Sequence, residues 1–153
     1  MNNRDEKFGK ICENLFHSKF KSYLKTKNKN DIFDFINKKK KKVIELKSRR
    51  YKFISHLKDW QVGMNKIEKA KLYFDNGYQV FFYMMFYDGL YYWKYHPDKV
   101  QTDLYIQIGG RVDRGKNEEK DYYYIKSDCM KKSKQDIKAP EPPNPFADKC
   151  LID

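Results

Sequence analysis

The sequence has only three cysteines, Cys12, Cys129 and Cys150, with no CxxC pair among them. An odd, scattered set excludes a disulfide framework and a thiolate zinc site, and fits a reducing compartment. Glycine is scarce as well, at seven residues, and none falls in a glycine-rich phosphate-cradling loop; Gly109 and Gly110 read as a turn. The three histidines, His17, His56 and His96, lack any ligand-like spacing. No long apolar run is present. "VFFYMMFY" is too short to span a bilayer, and the N-terminus lacks the apolar core of a signal peptide. The expectation is a soluble intracellular protein with no membrane partner. Proline is nearly absent until the end, where four of five stand at 140, 142, 143 and 145. The chain therefore reads as one domain over residues 1–133 and a Pro-rich flexible tail over 134–153. No internal repeat is visible.

Negative charge is also in short supply. The net charge is +12. Residues 38–52 hold nine Lys or Arg against one Glu, so most of the excess lies in one short segment. Such focusing favours a polyanionic partner over a general solubility effect. Aromatics, in contrast, make up 17% of the chain, enough for a real core.

Apolar residues from Phe8 to Leu24 recur at the helical period, which predicts a helix over "RDEKFGKICENLFHSKFKSYLK" with Glu13 at the edge of its stripe. "DIFDFIN" and "KVIELKSR" predict two strands joined by the lysine run, a hairpin. Alternation puts Glu45 and Lys47 on one face, facing a cleft, and Ile44 and Leu46 on the other, facing the core. "VGMNKIEKAKLYFDNG" predicts a second helix ending at Gly77. "YQVFFYMMFY", a turn at Asp88–Gly89 and "LYYWKY" predict a second hairpin. "DLYIQI" and "DYYYIK" predict a further strand pair. The aromatic stripe 78–95 reads as core rather than as a surface for stacking bases, because it is too continuous for one exposed face.

The hairpin offers a constellation for phosphodiester hydrolysis. That chemistry needs a divalent cation, hard oxygen ligands and a positive charge near the attacking water. The hairpin can bring Asp34 and Glu45 together, with Lys47 two residues further along, and Glu13 can add a third carboxylate. Acid-x-Lys alone is nearly uninformative, since it occurs four times in this lysine-rich chain. Only the Glu45 copy lies in an apolar strand that follows an acid-bearing partner.

A helical Glu in "GKICE", a strand Asp in "DIFDF", Glu-x-Lys in "VIELK" and the helix "MNKIEKAKLY" together resemble the PD-(D/E)xK nuclease superfamily, which includes restriction endonucleases and Holliday-junction resolvases. The resemblance spans roughly residues 6–96, and the style of the sequence resembles nuclease-like proteins of large DNA viruses. It implies an α/β fold, a restriction-endonuclease-like αβββαβ core with a mixed sheet and an added C-terminal strand pair. It also implies a metal-dependent nuclease acting on DNA rather than RNA. Asp34 and Glu45 would bind Mg2+ or Mn2+, Lys47 would orient the water and Glu13 would assist, with Gln61 or Lys66 contributing from the second helix. Phe33 stands where the motif has proline, and Asp31 remains open as the motif acid in place of Asp34.

Lys38, Lys39, Lys40, Lys41, Lys42, Arg49, Arg50, Lys52 and Lys66 are the candidate nucleic-acid-binding residues, each expected to make the salt dependence of binding steeper. Two other readings stand beside this one: a nucleic-acid-binding protein of the same fold without catalysis, and a basic module that meets an acidic protein. Oligomeric state is open, with a dimer compatible.

Overall fold

The computed structural model describes residues 3–26, 33–109 and 120–143. Helix α1 (Asn3–Lys19) leads into a short strand β1 (Leu24–Lys25), then β2 (Phe35–Asn37) and β3 (Lys42–Ser48). A short helix α2 (Phe53–His56), strand β4 (Trp60–Gly63) and helix α3 (Met64–Asp75) follow. Next come β5 (Gln79–Phe86), β6 (Gly89–Lys94), a short helix α4 (Val100–Asp103), β7 (Leu104–Gly109), β8 (Lys120–Ile125) and β9 (Lys131–Lys132). No described helix is long and apolar enough to cross a membrane.

Six strands form one mixed sheet in the order β1-β2-β3-β5-β6-β9, and β4-β8-β7 form a second, smaller sheet. The first three strands of the large sheet run as an antiparallel meander. The chain then leaves through α2, β4 and α3 and returns with β5 parallel to β3. Parallel neighbours need such a crossover, since a tight turn can only reverse the chain. The predicted α/β class, the two hairpins and the β7–β8 pair are all present.

Local chemistry fixes the joints. Helix α3 stops at Gly77, whose φ of +87° suits glycine, and the N–H of Gly77 donates to the Phe74 carbonyl while that of Tyr78 donates to Tyr73. Asp88, in the β5–β6 turn, accepts from the N–H groups of Phe53 and Ile54 and so caps α2 from a distance. α1 ends earlier than its apolar stripe predicts. Leu24 instead pairs with Ile36 in the sheet and is exposed, as is Ile11 on the outer side of the helix.

The large sheet separates two apolar clusters. Cys12 and Phe16 of α1 pack on Phe35, Ile44, Leu46, Tyr83 and Met85. On the other face Ile67 and Ala70 of α3, with Trp60, Val62 and Ile125 of the small sheet, pack on Val43, Val80, Phe82 and Met84. β3 is covered on both sides, so residues 43–46 are continuously buried where alternation predicts one exposed face. Residues 134–143, which the composition assigns to the tail, run as coil, but Ile137 and Ala139 are buried beside Met85 and Leu90. The Ala139 N–H also donates to the Phe86 carbonyl. Residues 144–153, and with them Cys150, lie outside the described residues.

Candidate active site

The register of the first hairpin builds the site. Phe35 pairs with Ile44 and the Asp34 N–H donates to the Ile44 carbonyl, so Asp34 comes level with Glu45. β2 starts one residue later, at Phe35, and the backbone of β3 past Glu45 would be unpaired there. The Asp34 side chain fills the gap: its Oδ2 accepts from the Leu46 N–H at 2.8 Å. That bond turns the carboxylate toward β3 and holds it. Asp31, the other candidate for the motif acid, lies outside the described residues.

Glu45 is 3% exposed, an unusual place for a carboxyl group. It does not face an open cleft, as alternation suggests; the strand face it shares with Val43 is roofed by α3. Burial first, then the Asp34 carboxylate and a hydrogen bond with Asp34, push the Glu45 carboxyl up to about 8. Lys66 of α3 and Lys47 oppose that rise. The Lys66 ammonium lies 2.5 Å from Glu45 Oε2. Oε2 has no hydrogen-bond partner despite this closeness, so the Lys66 contact is an attraction between charges without directed geometry.

Lys47 is exposed and, with Asp34 and Glu13, lines a cleft of about 830 Å3 between the first half of α1 and the end of β3. Glu13 reaches the cleft from α1 and pairs loosely with Lys25 at 3.9 Å. Its carboxyl is raised above the usual range by burial and then by Asp34, and Lys25, Lys10 and Lys47 pull it back. Glu13 thus feels Asp34 electrostatically but stands apart from the Asp34–Glu45 pair. Among the described residues no three His, Cys, Asp or Glu side chains gather closely enough to hold an ion. The Asp34 and Glu45 carboxyl groups thus lie within hydrogen-bond reach of each other, and the Lys66 and Lys47 ammonium groups both act on Glu45.

The basic candidates divide. Lys38, Lys39, Lys40 and Lys41 are exposed in the hairpin turn, and Lys42 begins β3, so all five sit at the opposite end of the strand from Lys47. Lys52 is exposed near the acidic cleft. Arg49 and Arg50 line that cleft, but Arg50 is half-buried and engaged. It bonds Asp5 at 2.8 Å, donates to the Arg4 carbonyl and covers the Phe8 ring. Lys66 contributes from α3, as the sequence suggests, but toward Glu45. Gln61 does not sit on that helix. It lies in β4, opposite Tyr124.

A helix bearing Glu13, a hairpin that sets Asp34 against Glu-x-Lys, and a crossover to a parallel strand define a member of the PD-(D/E)xK nuclease superfamily. Residues 3–128 match the family described as "Phage putative PDDEXK endonuclease", and the chain belongs to that family. Its substrate class is accordingly nucleic acid. No curated protein and no solved structure matches the chain.

Proposed function

We propose that the protein is a metal-dependent endonuclease that hydrolyses phosphodiester bonds in DNA, with Asp34 and Glu45 as the metal-binding acids. The observation that carries this reading is a buried carboxyl, Glu45, brought level with a second one, Asp34, which is itself held by the Leu46 N–H. Two carboxyl groups set side by side, one of them buried, oppose each other's ionisation and cost stability, so such a pair is kept for a reason. Two carboxylates are a donor set that suits Mg2+ or Mn2+. The ion would supply Lewis acidity toward the phosphate and lower the pKa of a nearby water.

The chain's own groups do the rest. Asp34 is oriented by the Leu46 N–H, so its free oxygen has one preferred direction. Lys47 sits at the mouth of the cleft, where its ammonium orients the attacking water and offsets charge that builds on the phosphate. Lys66 offsets the carboxylate charge from behind and competes with any cation there. Glu13 lines the same cleft wall, its carboxyl raised by burial and then by Asp34, and is placed to assist there. Lys52 and Arg49 are placed to meet the substrate backbone near the cleft, while the turn lysines extend that contact to the far end of β3. The working unit runs through β9, which pairs with β6, and Ile137 and Ala139 of the coil beyond it pack on the core.

Nicking of supercoiled plasmid in Mg2+ or Mn2+ tests the assignment. Glu45→Gln should lose at least about 100-fold in rate while still binding DNA. Nicking by Glu45→Gln at the wild-type rate would remove the proposal. A second reading, a nucleic-acid binder without catalysis, draws on the Lys66 ammonium at Glu45 and on the pair's having no third acid beside it among the described residues. It expects no metal-dependent nicking by the wild type.

A further inference from the structure

Most of the aromatic stripe is core, as its continuity suggests: Phe82, Tyr83, Phe86, Tyr91, Trp93 and Tyr95 are buried. Two rings are not. Phe81 and Tyr92 are half-exposed on the α1 face of the large sheet, 6.4 Å apart and inclined at 59°. They line a second cleft, of about 450 Å3, between the turn that follows α1 and the first residues of β3 and β5. Its cations are lysines. Lys40, Lys42 and Lys134 line it, the Lys42 ammonium is 5.9 Å from the centre of the Phe81 ring, and Lys94 stands over the same ring at 5.6 Å. Among the described residues no carboxylate lines it. The first cleft, by contrast, mixes both signs: Asp5, Glu6, Glu13 and Asp34 line it with Lys10, Lys47, Arg49 and Arg50.

Ring faces offered within a shell of ammonium groups suit a ligand that is flat, aromatic and anionic at short intervals. An acidic peptide meets the charge but not the rings. A duplex meets the charge but keeps its bases stacked and out of reach. An unpaired strand meets both, with bases on the rings and phosphates on the lysines. We propose that this cleft binds single-stranded nucleic acid, with bases against Phe81 and Tyr92 and phosphates near Lys40, Lys42, Lys94 and Lys134. The choice of a nucleic acid as ligand rests on the nuclease reading; the cleft itself needs neither Asp34 nor Glu45. β3 runs from Lys42 at this cleft to Ser48 at the other, about 20 Å at ~3.3 Å per residue.

Fluorescence anisotropy of the full chain in EDTA, with a labelled oligo-dT, an oligo-rU and a duplex of equal length, measures this site apart from cleavage. Tyr92→Ala should weaken single-strand binding at least about fivefold and leave duplex binding within about twofold, and Tyr92→Phe should restore it. Lys94→Ala with Lys134→Ala, both exposed, should lower the salt slope for the single strand by about 0.7 for each phosphate that is no longer neutralised. The dT and rU arms show which sugar the cleft takes, and preference for either supports it. Unchanged single-strand binding in both variants would overturn the proposal, as would a parallel loss on the duplex or a Tyr92→Phe defect equal to that of Tyr92→Ala. Plasmid nicking by Glu45→Gln is a separate readout, so failure of the hairpin acids and failure of this cleft are told apart.

Discussion

At its N-terminal end β3 emerges from a turn of four exposed lysines beside two open aromatic rings. At its C-terminal end the same strand carries a buried acid, a second acid pinned to its backbone and an ammonium group at the mouth of a larger cleft. Positive charge in this chain is densest at the first end, yet the groups suited to bond breaking are at the second. A patch of lysine gathers polyanions of any sequence. Chemistry needs a few groups whose ionisation has been altered by their surroundings, and burial raises the Glu45 carboxyl well above its usual range.

Several experiments would sharpen that contrast or break it. The largest effect belongs to the acid end. Asp34→Asn and Lys47→Ala should each lower the nicking rate by about 100-fold or more, with DNA binding retained. Loss of binding in step with rate would mean that the two ends are not separable.

A pH titration comes next. The Glu45 carboxyl is raised to about 8 in the folded chain against an ordinary 4.5. The folded state therefore holds a proton that the unfolded state has released, and stability falls as pH rises through the window from about 4.5 to 8. The cost is absent below that window and complete above it, on the order of a few kcal/mol. Urea unfolding in EDTA between pH 5 and 9 should show this slope, and Glu45→Gln should flatten it. A wild-type curve as flat as the variant's would contradict the burial argument.

Smaller again is the effect at the lysine end. Replacing Lys38, Lys39, Lys40 and Lys41 together by Ala should weaken DNA binding and reduce the log–log salt slope by up to about 0.9 per phosphate that those lysines neutralise. At saturating DNA the nicking rate should stay within about twofold of wild type. The smallest effect is expected from Asp5→Ala, which frees Arg50: a half-exposed ion pair contributes about 0–1 kcal/mol, read as a small shift in the unfolding midpoint.

Elements that depend on neighbours in sequence were readable from it. α1, α3 and both hairpins follow from period, turn residues and strand spacing, whereas strand parity leaves Asp31 and Asp34 both open as the motif acid. The environment of Glu45 did not follow. Alternation places it on an open face, because nothing near residue 45 says that α3, twenty residues on, will roof that face and bring Lys66 to it. The same limit applies to β4. Its "WQVG" joins a sheet only through Tyr122–Ile125, far along the chain, so a local reading leaves it ambiguous. Ile137 and Ala139 are two apolar residues in a polar, Pro-rich stretch, too sparse to announce that they seal the core beside Met85 and Leu90. The two stacking rings were hidden for the opposite reason: Phe81 and Tyr92 look like the buried aromatics on either side of them.

The parallel pairing of β3 with β5 carries a cost in time. Lys42 meets Gln79 across the whole α2–β4–α3 crossover, so loop closure must precede any reward from that ladder. Until then "VIEL" and "VFFYMMF" are bare, apolar β-formers of the kind that associate between molecules. The lysines ahead of β3 stand where gatekeepers stand, and their mutual repulsion holds a nascent strand away from its copies while its own partner is still being assembled. The same charge that we propose meets the substrate backbone would thus also guard the unfinished chain.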